Sequence, residues 1–187
     1  MTDPLTGLFN RRSFELQLDQ EVLMAKRTHQ PLSLIMLDVD RFKLLNDTAG
    51  HDAGDDALRR LADCFRCELR RLDAAARFGG DEFALILPQA HADGALIVAE
   101  RLRARIEQIE IPEVGNLTAS IGIATVPLNA NSRLELFRAA DDALYLAKRT
   151  GRNRVCVADN IARKCSDSGT TIMGQIEHSR SKPVKMS

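Results

Sequence analysis

The residues best suited to chemistry are two adjacent acids, Asp81 and Glu82, in the stretch Arg77-Phe78-Gly79-Gly80-Asp81-Glu82-Phe83. Two successive glycines can take positive φ without Cβ strain, so Gly79-Gly80 predicts the tip of a tight hairpin. Phe83 to Leu87 is apolar and ends at Pro88, which predicts a short buried strand with both acids at its mouth. Taken alone, such a stretch is more simply a solvated turn. A second acidic strand end lies upstream, where Leu32-Ser33-Leu34-Ile35-Met36-Leu37 runs into Asp38-Val39-Asp40. Two carboxylate-tipped strands in one small domain suggest a shared divalent metal site, because hard cations take oxygen ligands. Asp40 can share the face of Asp38 if the strand continues or cap the following turn, and it is assigned a structural role.

The elements that must position these acids follow from periodicity. Phe14, Leu18, Val22 and Ala25 recur at helical spacing between Arg11 and His29, with Ser13 as a possible cap and Pro31 closing the segment. A polar stretch from Arg41 to Asp55 has little periodicity and is expected to wrap a ligand. Leu58, Leu61, Ala62, Phe65, Leu69 and Leu72 form the stripe of another helix, its arginines on solvated faces. Leu96, Ala99, Leu102, Ile106 and Ile109 mark a third. Leu117 to Val126 reads as a strand containing Gly122, and Pro127 ends it. Ser132 and Glu135 form a capping-box pattern ahead of Leu136, Ala140, Leu144 and Ala147, and Gly151 stands where a helix stop belongs. A strand at 154–158 closes the domain. Phe78, Phe83 and Tyr145 are expected in the core. Helices among strands that include a hairpin predict an α/β arrangement of the α+β kind, a mixed sheet with helices packed outside.

The chain has 187 residues, enough for one domain with a real core, and its 26 Lys and Arg balance 26 Asp and Glu. That balance argues against nucleic acid or an anionic membrane as a partner, so an anionic ligand must be held locally. No apolar run is long enough to span a bilayer and no signal-peptide layout is present, so a cytoplasmic location is expected. Cys64-x-x-Cys67 has the spacing of half a zinc knuckle, but the second half is missing and a helix bearing reduced thiols is the favoured reading. Beyond Asp159 apolar residues are sparse, and the tail 160–187 is expected to be disordered.

The separated motifs together resemble the GGDEF domain of diguanylate cyclases. They are Asp3-Pro4-Leu5-Thr6-Gly7-Leu8 with Asn10-Arg11-Arg12, Asp38-Val39-Asp40 with Phe42-Lys43, Asn46-Asp47, Gly50-His51, Gly54-Asp55, the stretch around Asp81, Ser120 to Ala124, and Ala140 through Lys148 to Gly151-Arg152-Asn153. The likeness covers residues 3–158 and sets the domain at 1–159. It implies a central five-stranded sheet like the palm of nucleotidyl cyclases and polymerases. It also implies condensation of two GTP into cyclic di-GMP with release of two pyrophosphates.

On that resemblance Asp38 and Asp81, with the backbone carbonyl of Val39, hold two Mg²⁺ (or Mn²⁺) ions about 4 Å apart. Asp81 assists deprotonation of a ribose 3′-hydroxyl, and Glu82 and Lys43 complete the catalytic set. Phe42, Lys43, Lys148 and Arg152 are placed on GTP, the cations on its phosphates. Asn46 and Asp55 read guanine, although on spacing alone they suit an Asx turn and a helix cap. Arg70-x-x-Asp73, with Arg101 as helper, corresponds to an inhibitory product site; without the likeness it reads as a surface ion pair. His51 is given a structural role. A homodimer is expected for catalysis. Such domains normally follow a sensor or dimerisation helix, whereas the first motif here starts at Asp3, so the expectation is an excised domain or activation supplied another way. The alternative reading is a catalytically weak module that senses GTP or cyclic di-GMP, but such modules usually carry a damaged signature and this one is intact. A cyclic-GMP cyclase shares the palm; a polymerase would want a basic groove that the sequence lacks.

Overall fold

The computed structural model describes residues 1–158; the expected tail lies outside the described residues. In chain order the elements are β1 (Phe9–Asn10), α1 (Arg11–Thr28), β2 (Leu32–Val39), α2 (Phe42–Ala49), α3 (His51–Glu68), β3 (Ala74–Arg77), β4 (Glu82–Pro88), α4 (Ala92–Ile106), β5 (Glu110–Ile111), β6 (Gly115–Asn116), β7 (Ala119–Val126), α5 (Arg133–Arg149) and β8 (Val155–Val157). The main sheet runs β1-β3-β4-β2-β7-β8. Its middle, β3-β4-β2-β7, is antiparallel, while β1 joins β3 and β8 joins β7 in parallel. The sheet is therefore mixed, with the two-residue β1 added to the five expected strands.

Alternation within β2 explains why its sequence is apolar from Leu34 to Leu37, with the one polar residue before Asp38, Ser33, buried and hydrogen-bonded to Thr125 and the Ala90 carbonyl. Leu32, Leu34 and Met36 pack with Phe14, Leu18 and Val22 of α1 and Leu136, Ala140 and Leu144 of α5. Ile35, Leu37 and Val39 face the opposite cluster, with Leu58, Leu61 and Phe65 of α3 and Leu102 and Ile106 of α4. A strand covered on both faces has no solvent side to mark with polar residues. Each fully buried Leu, Ile or Phe contributes about 1.5–3 kcal/mol, so the centre of the sheet is a rigid base for what stands at its end. Gly122 on β7 is required by close approach, since a Cβ there would overlap the Ala140 carbonyl oxygen and the Leu144 nitrogen of α5.

Several local expectations are corrected. Asn10, not Ser13, caps α1: its side chain accepts from the Ser13 N–H at 3.0 Å. The stretch 41–55 is largely helical, made of α2 and the first turn of α3, and little of it reads as periodic because α2 buries one side chain fully, Leu45. The helix with the 58–72 stripe ends at Glu68, leaving Leu72 66% exposed. Tyr145 is 60% exposed, lying on the outer side of α5 under the Arg149 guanidinium. The capping box at α5 is offset: Ser132 accepts from Glu135 N–H, but the Glu135 carboxylate accepts from Asn131 N–H.

Candidate active site

The ends of β2 and β4 bring the acids together. Register sets Asp38 opposite Glu82 on one side and Ser120 on the other. The Val39 N–H donates to the Asp81 carbonyl at 3.1 Å, locking the hairpin onto the end of β2. The Asp38 side chain is 14% exposed, and the Lys148 ammonium from the last turn of α5 lies 2.7 Å from its Oδ2. Burial is the largest influence on the Asp38 carboxyl and pushes its pKa up. Lys148 pulls it down, the charges of Asp81 and Glu82 push it up again, and the net direction is upward.

Asp40, two residues on, has the opposite surroundings. It is buried, and its carboxylate accepts from Ser120 Oγ at 2.7 Å, Thr118 Oγ1 at 2.9 Å and the Asn153 N–H at 3.0 Å. With three donors in place it holds the end of β2 to β7 and to the α5–β8 turn, in keeping with its structural assignment.

Gly79 and Gly80 do not adopt the left-handed φ expected of them. The hairpin closes instead through a wider loop, in which Phe78 and Gly79 N–H groups both donate to the Glu82 carbonyl. Only Gly79 is held small by proximity: a Cβ there would sit 3.1 Å from Glu82 Oε2, whereas one on Gly80 would meet nothing within 4 Å. Arg77, whose role no spacing in the sequence reveals, holds this loop. Its guanidinium donates to the Gly79 and Gly80 carbonyls, with Nη2 2.8 Å from Gly80 O, and reaches Asp3 at 3.5 Å. Asp3 in turn accepts from the Thr6 N–H and hydroxyl at 2.8 and 2.7 Å. Burial pushes its pKa up, but the Thr6 bonds and Arg77 outweigh that and leave it lowered. The Asp3-to-Leu8 motif is thus a knot that braces the acidic hairpin.

Around the carboxylates stand the residues expected to meet a nucleotide. The first turn of α2 carries Phe42 and Lys43 and has no side-chain cap, and exposed N–H groups at a helix start favour an anion. Lys43 and Arg152 are exposed and make no ion pair among the described residues, whereas Lys148 is engaged with Asp38. A cavity of about 280 Å³ opens between Arg41, Leu44, Val114, Thr118 and Arg152. On the other side of α2, Asn46 Oδ1 is buried with no hydrogen-bond partner. It packs so close to Gly54 of α3 that a Cβ there would overlap it. Asn46 and Asp55 are both helical, so neither the Asx turn nor the helix cap applies; Asp55 lies half-exposed, 4.0 Å from Arg59. The role of Gly54 as the wall behind Asn46 was invisible in sequence, since its partner belongs to a different helix.

Arg70 and Asp73 do not form the simple ion pair considered from sequence. The Asp73 carboxylate accepts from the Arg70 backbone N–H at 2.8 Å, leaving the Arg70 side chain exposed. Burial, the largest influence, raises the Asp73 pKa. Arg101 of α4 lies 3.0 Å from Glu68 at the end of α3, as does Arg105, so the three product-site candidates are grouped near one helix end.

Among the described residues no cluster of three or more His, Cys, Asp or Glu is placed to hold a metal. The local chemistry nevertheless fits a hard cation that keeps part of its shell from water and phosphate: a half-buried carboxylate, two further acids acting on it, and a lysine ammonium already standing beside it.

A mixed sheet covered by helices, with acids at the ends of two adjacent central strands, defines a palm-type domain of the nucleotidyl-cyclase kind. The family model for the diguanylate cyclase GGDEF domain matches residues 1–154. The chain belongs to this family, whose members depend on metal ions. It is 41% identical over 156 residues to diguanylate cyclase DosC of Escherichia coli K12, covering 82% of this chain and 34% of that protein. It is 39% identical over 160 residues to the response regulator PleD of Caulobacter vibrioides, covering 83% and 35%. The chain thus spans about a third of the length of these relatives. Among solved structures, the GGDEF domain of DgcB from Caulobacter crescentus in complex with c-di-GMP matches with a TM-score of 0.78 at 35% identity, covering 83% of this chain and 94% of that one. The GGDEF domain of YfiN from Pseudomonas aeruginosa gives 0.81 at 36% identity, covering 89% and 99%. Among the described residues no helix is long and apolar enough to cross a membrane.

Proposed function

We propose that this domain is a working diguanylate cyclase, condensing two GTP into cyclic di-GMP and two pyrophosphates across a homodimer in the cytoplasm. The observation that carries the reading is the convergence of Asp38, Asp81 and Glu82 at the ends of β2 and β4, with Lys148 2.7 Å from Asp38. In each half-reaction a ribose 3′-oxygen forms a bond to the α-phosphorus of the other GTP. The α–β phosphoanhydride bond breaks, pyrophosphate leaves, and the hydroxyl proton departs with the help of Asp81. Two such steps close the ring.

Asp38, Asp81 and the Val39 carbonyl would hold two Mg²⁺ or Mn²⁺ ions, which lower the pKa of the attacking hydroxyl and neutralise the leaving group. Lys43, Lys148 and Arg152 bind the triphosphate; Lys148, 2.7 Å from Asp38, would exchange that anionic partner for the triphosphate. Glu82 stands across from Asp38 and keeps the site anionic. Phe42 lines the base side, where Asn46 and Asp55 accept from the guanine N1–H and exocyclic amine. The unpartnered Asn46 Oδ1 supports that assignment, because a buried acceptor without a donor is costly until a ligand supplies one. Arg70, Asp73 and Arg101 form the inhibitory product site. Incubating the protein with Mg²⁺ and GTP or ATP and identifying products by mass spectrometry tests the reading. Cyclic di-GMP is the expected product, with ATP left unused; GTP bound but unconverted at every protein concentration would favour a sensor.

A further inference from the structure

The backbone between α5 and β8 is the most contorted in the domain. Gly151, Arg152 and Asn153 have successive φ values of 127°, 61° and 44°. Glycine takes such values freely, but two non-glycine residues in a row do so when their surroundings hold them there. The Arg152 N–H donates to the Ala147 carbonyl at 3.0 Å, and the rest of the hold comes from Asn153. Its backbone N–H donates to Asp40 Oδ2 at 3.0 Å, its Nδ2 donates to Glu107 Oε1 at 2.7 Å, and its Oδ1 accepts from Arg103 Nη1 at 3.0 Å. Arg103 and Glu107 are themselves paired at 3.0 Å, and Arg103 is anchored to Glu100 at 2.9 Å. The Asn153 amide and Arg103 hold the Glu107 carboxyl below its ordinary pKa, so it stands as a charged acceptor.

Both ends of this clamp lead to the proposed phosphate contacts. Arg152 immediately precedes Asn153, and Asp40 immediately precedes the turn into α2 that carries Lys43. A single residue thus ties a cation after α5 to a cation at the start of α2: its backbone N–H holds Asp40, and its side chain fixes that turn to the end of α4. We infer that Asn153, clamped by Glu107 and Arg103, is a positioning residue for the nucleotide triphosphate: it touches no phosphate but fixes the distance between the groups that do. The inference rests on the proposed binding of GTP by Arg152 and Lys43.

The test compares binding of a non-hydrolysable GTP analogue and of GMP to the whole protein and its variants, alongside melting temperature. Asn153→Gly keeps the left-handed backbone and its N–H while deleting the amide; Glu107→Ala deletes the anchor; Glu107→Gln keeps an acceptor for the amide. Asn153→Gly and Glu107→Ala are expected to weaken the triphosphate by about tenfold, the scale of one lost charge-assisted contact, and to leave GMP within about twofold. In turnover the loss should fall on KM rather than kcat, and Glu107→Gln should recover most of it. Triphosphate binding at the parental value in Asn153→Gly would overturn the inference, as would equal weakening of both nucleotides, which would mark a general structural role. A parent protein that binds neither nucleotide would instead remove the GTP reading beneath it.

Discussion

Asp38 and Asp40 leave the same strand two residues apart, yet one is left in want of partners and the other is fully supplied. Asp40 is buried under two hydroxyls and a backbone N–H, none of which competes with a like charge. Asp38 has one cation, Lys148, and two acids pushing against it. A buried carboxylate with its donors in place stabilises a fold, while one held among like charges stores a demand for a cation. The domain gives up stability for function at the β2–β4 end, and not at the β2–β7 seam beside it.

The largest effect should come from the underserved side. Asp81→Ala should lower cyclic di-GMP formation from GTP by at least about 10²-fold, the scale seen when a preorganised charged group is removed from a reacting centre; initial rates check it, and near-parental turnover would put the reaction elsewhere. On the supplied side, Asp40→Asn replaces an acceptor with an amide facing donors and should cost about 1–3 kcal/mol of stability, read by denaturant unfolding. No loss of stability there would erase the contrast.

The base side sharpens the same distinction, because Asn46 is another polar group without a partner. Gly54→Ala drives a methyl into its oxygen and should weaken GTP binding about tenfold, given that overpacking costs about 1–3 kcal/mol, as measured by titration calorimetry. Unchanged GTP affinity would take Asn46 out of the base pocket. A smaller effect, confined to regulation, is expected at the far end of α3: Arg70→Ala should raise the cyclic di-GMP concentration needed for half-inhibition several-fold, by loss of one phosphate-binding fork. Equal inhibition of variant and parent would return Arg70 and Asp73 to a local capping role.

The two acidic strand ends were legible because β2 and β4 are buried on both faces and read as predominantly apolar runs beside Asp38 and Glu82. α2 was not, because its packing rests on close contact between Asn46, Phe42 and Gly54 and not on an apolar stripe. Leu69 and Leu72 continued a helical spacing past the point where Glu68 ends the helix, since Asp73 turns the chain by accepting from Arg70 N–H. The β5–β6 hairpin was missed because two-residue strands leave no periodic trace; its turn shows in Glu113 and Gly115, at φ 69° and 95°. The Asn153 clamp and the Arg77 brace were out of reach for a different reason. Their partners lie 46 to 113 and 74 residues away, and spacing along a sequence carries no information about such pairs.

The most direct measurement takes Asp38→Asn and reads two quantities from one preparation, the rate of cyclic di-GMP formation and the melting temperature without divalent cation. Because the folded pKa of Asp38 is raised above its unfolded value, its contribution to stability falls as pH rises through the unfolded value towards the folded one. At neutral pH the charge therefore burdens the fold, and a neutral amide removes the burden. The expected result is a rate lower by about 10²-fold or more together with a melting temperature equal to or above the parent's. A variant that cyclises GTP at the parental rate, or one that loses both rate and stability together, would contradict it.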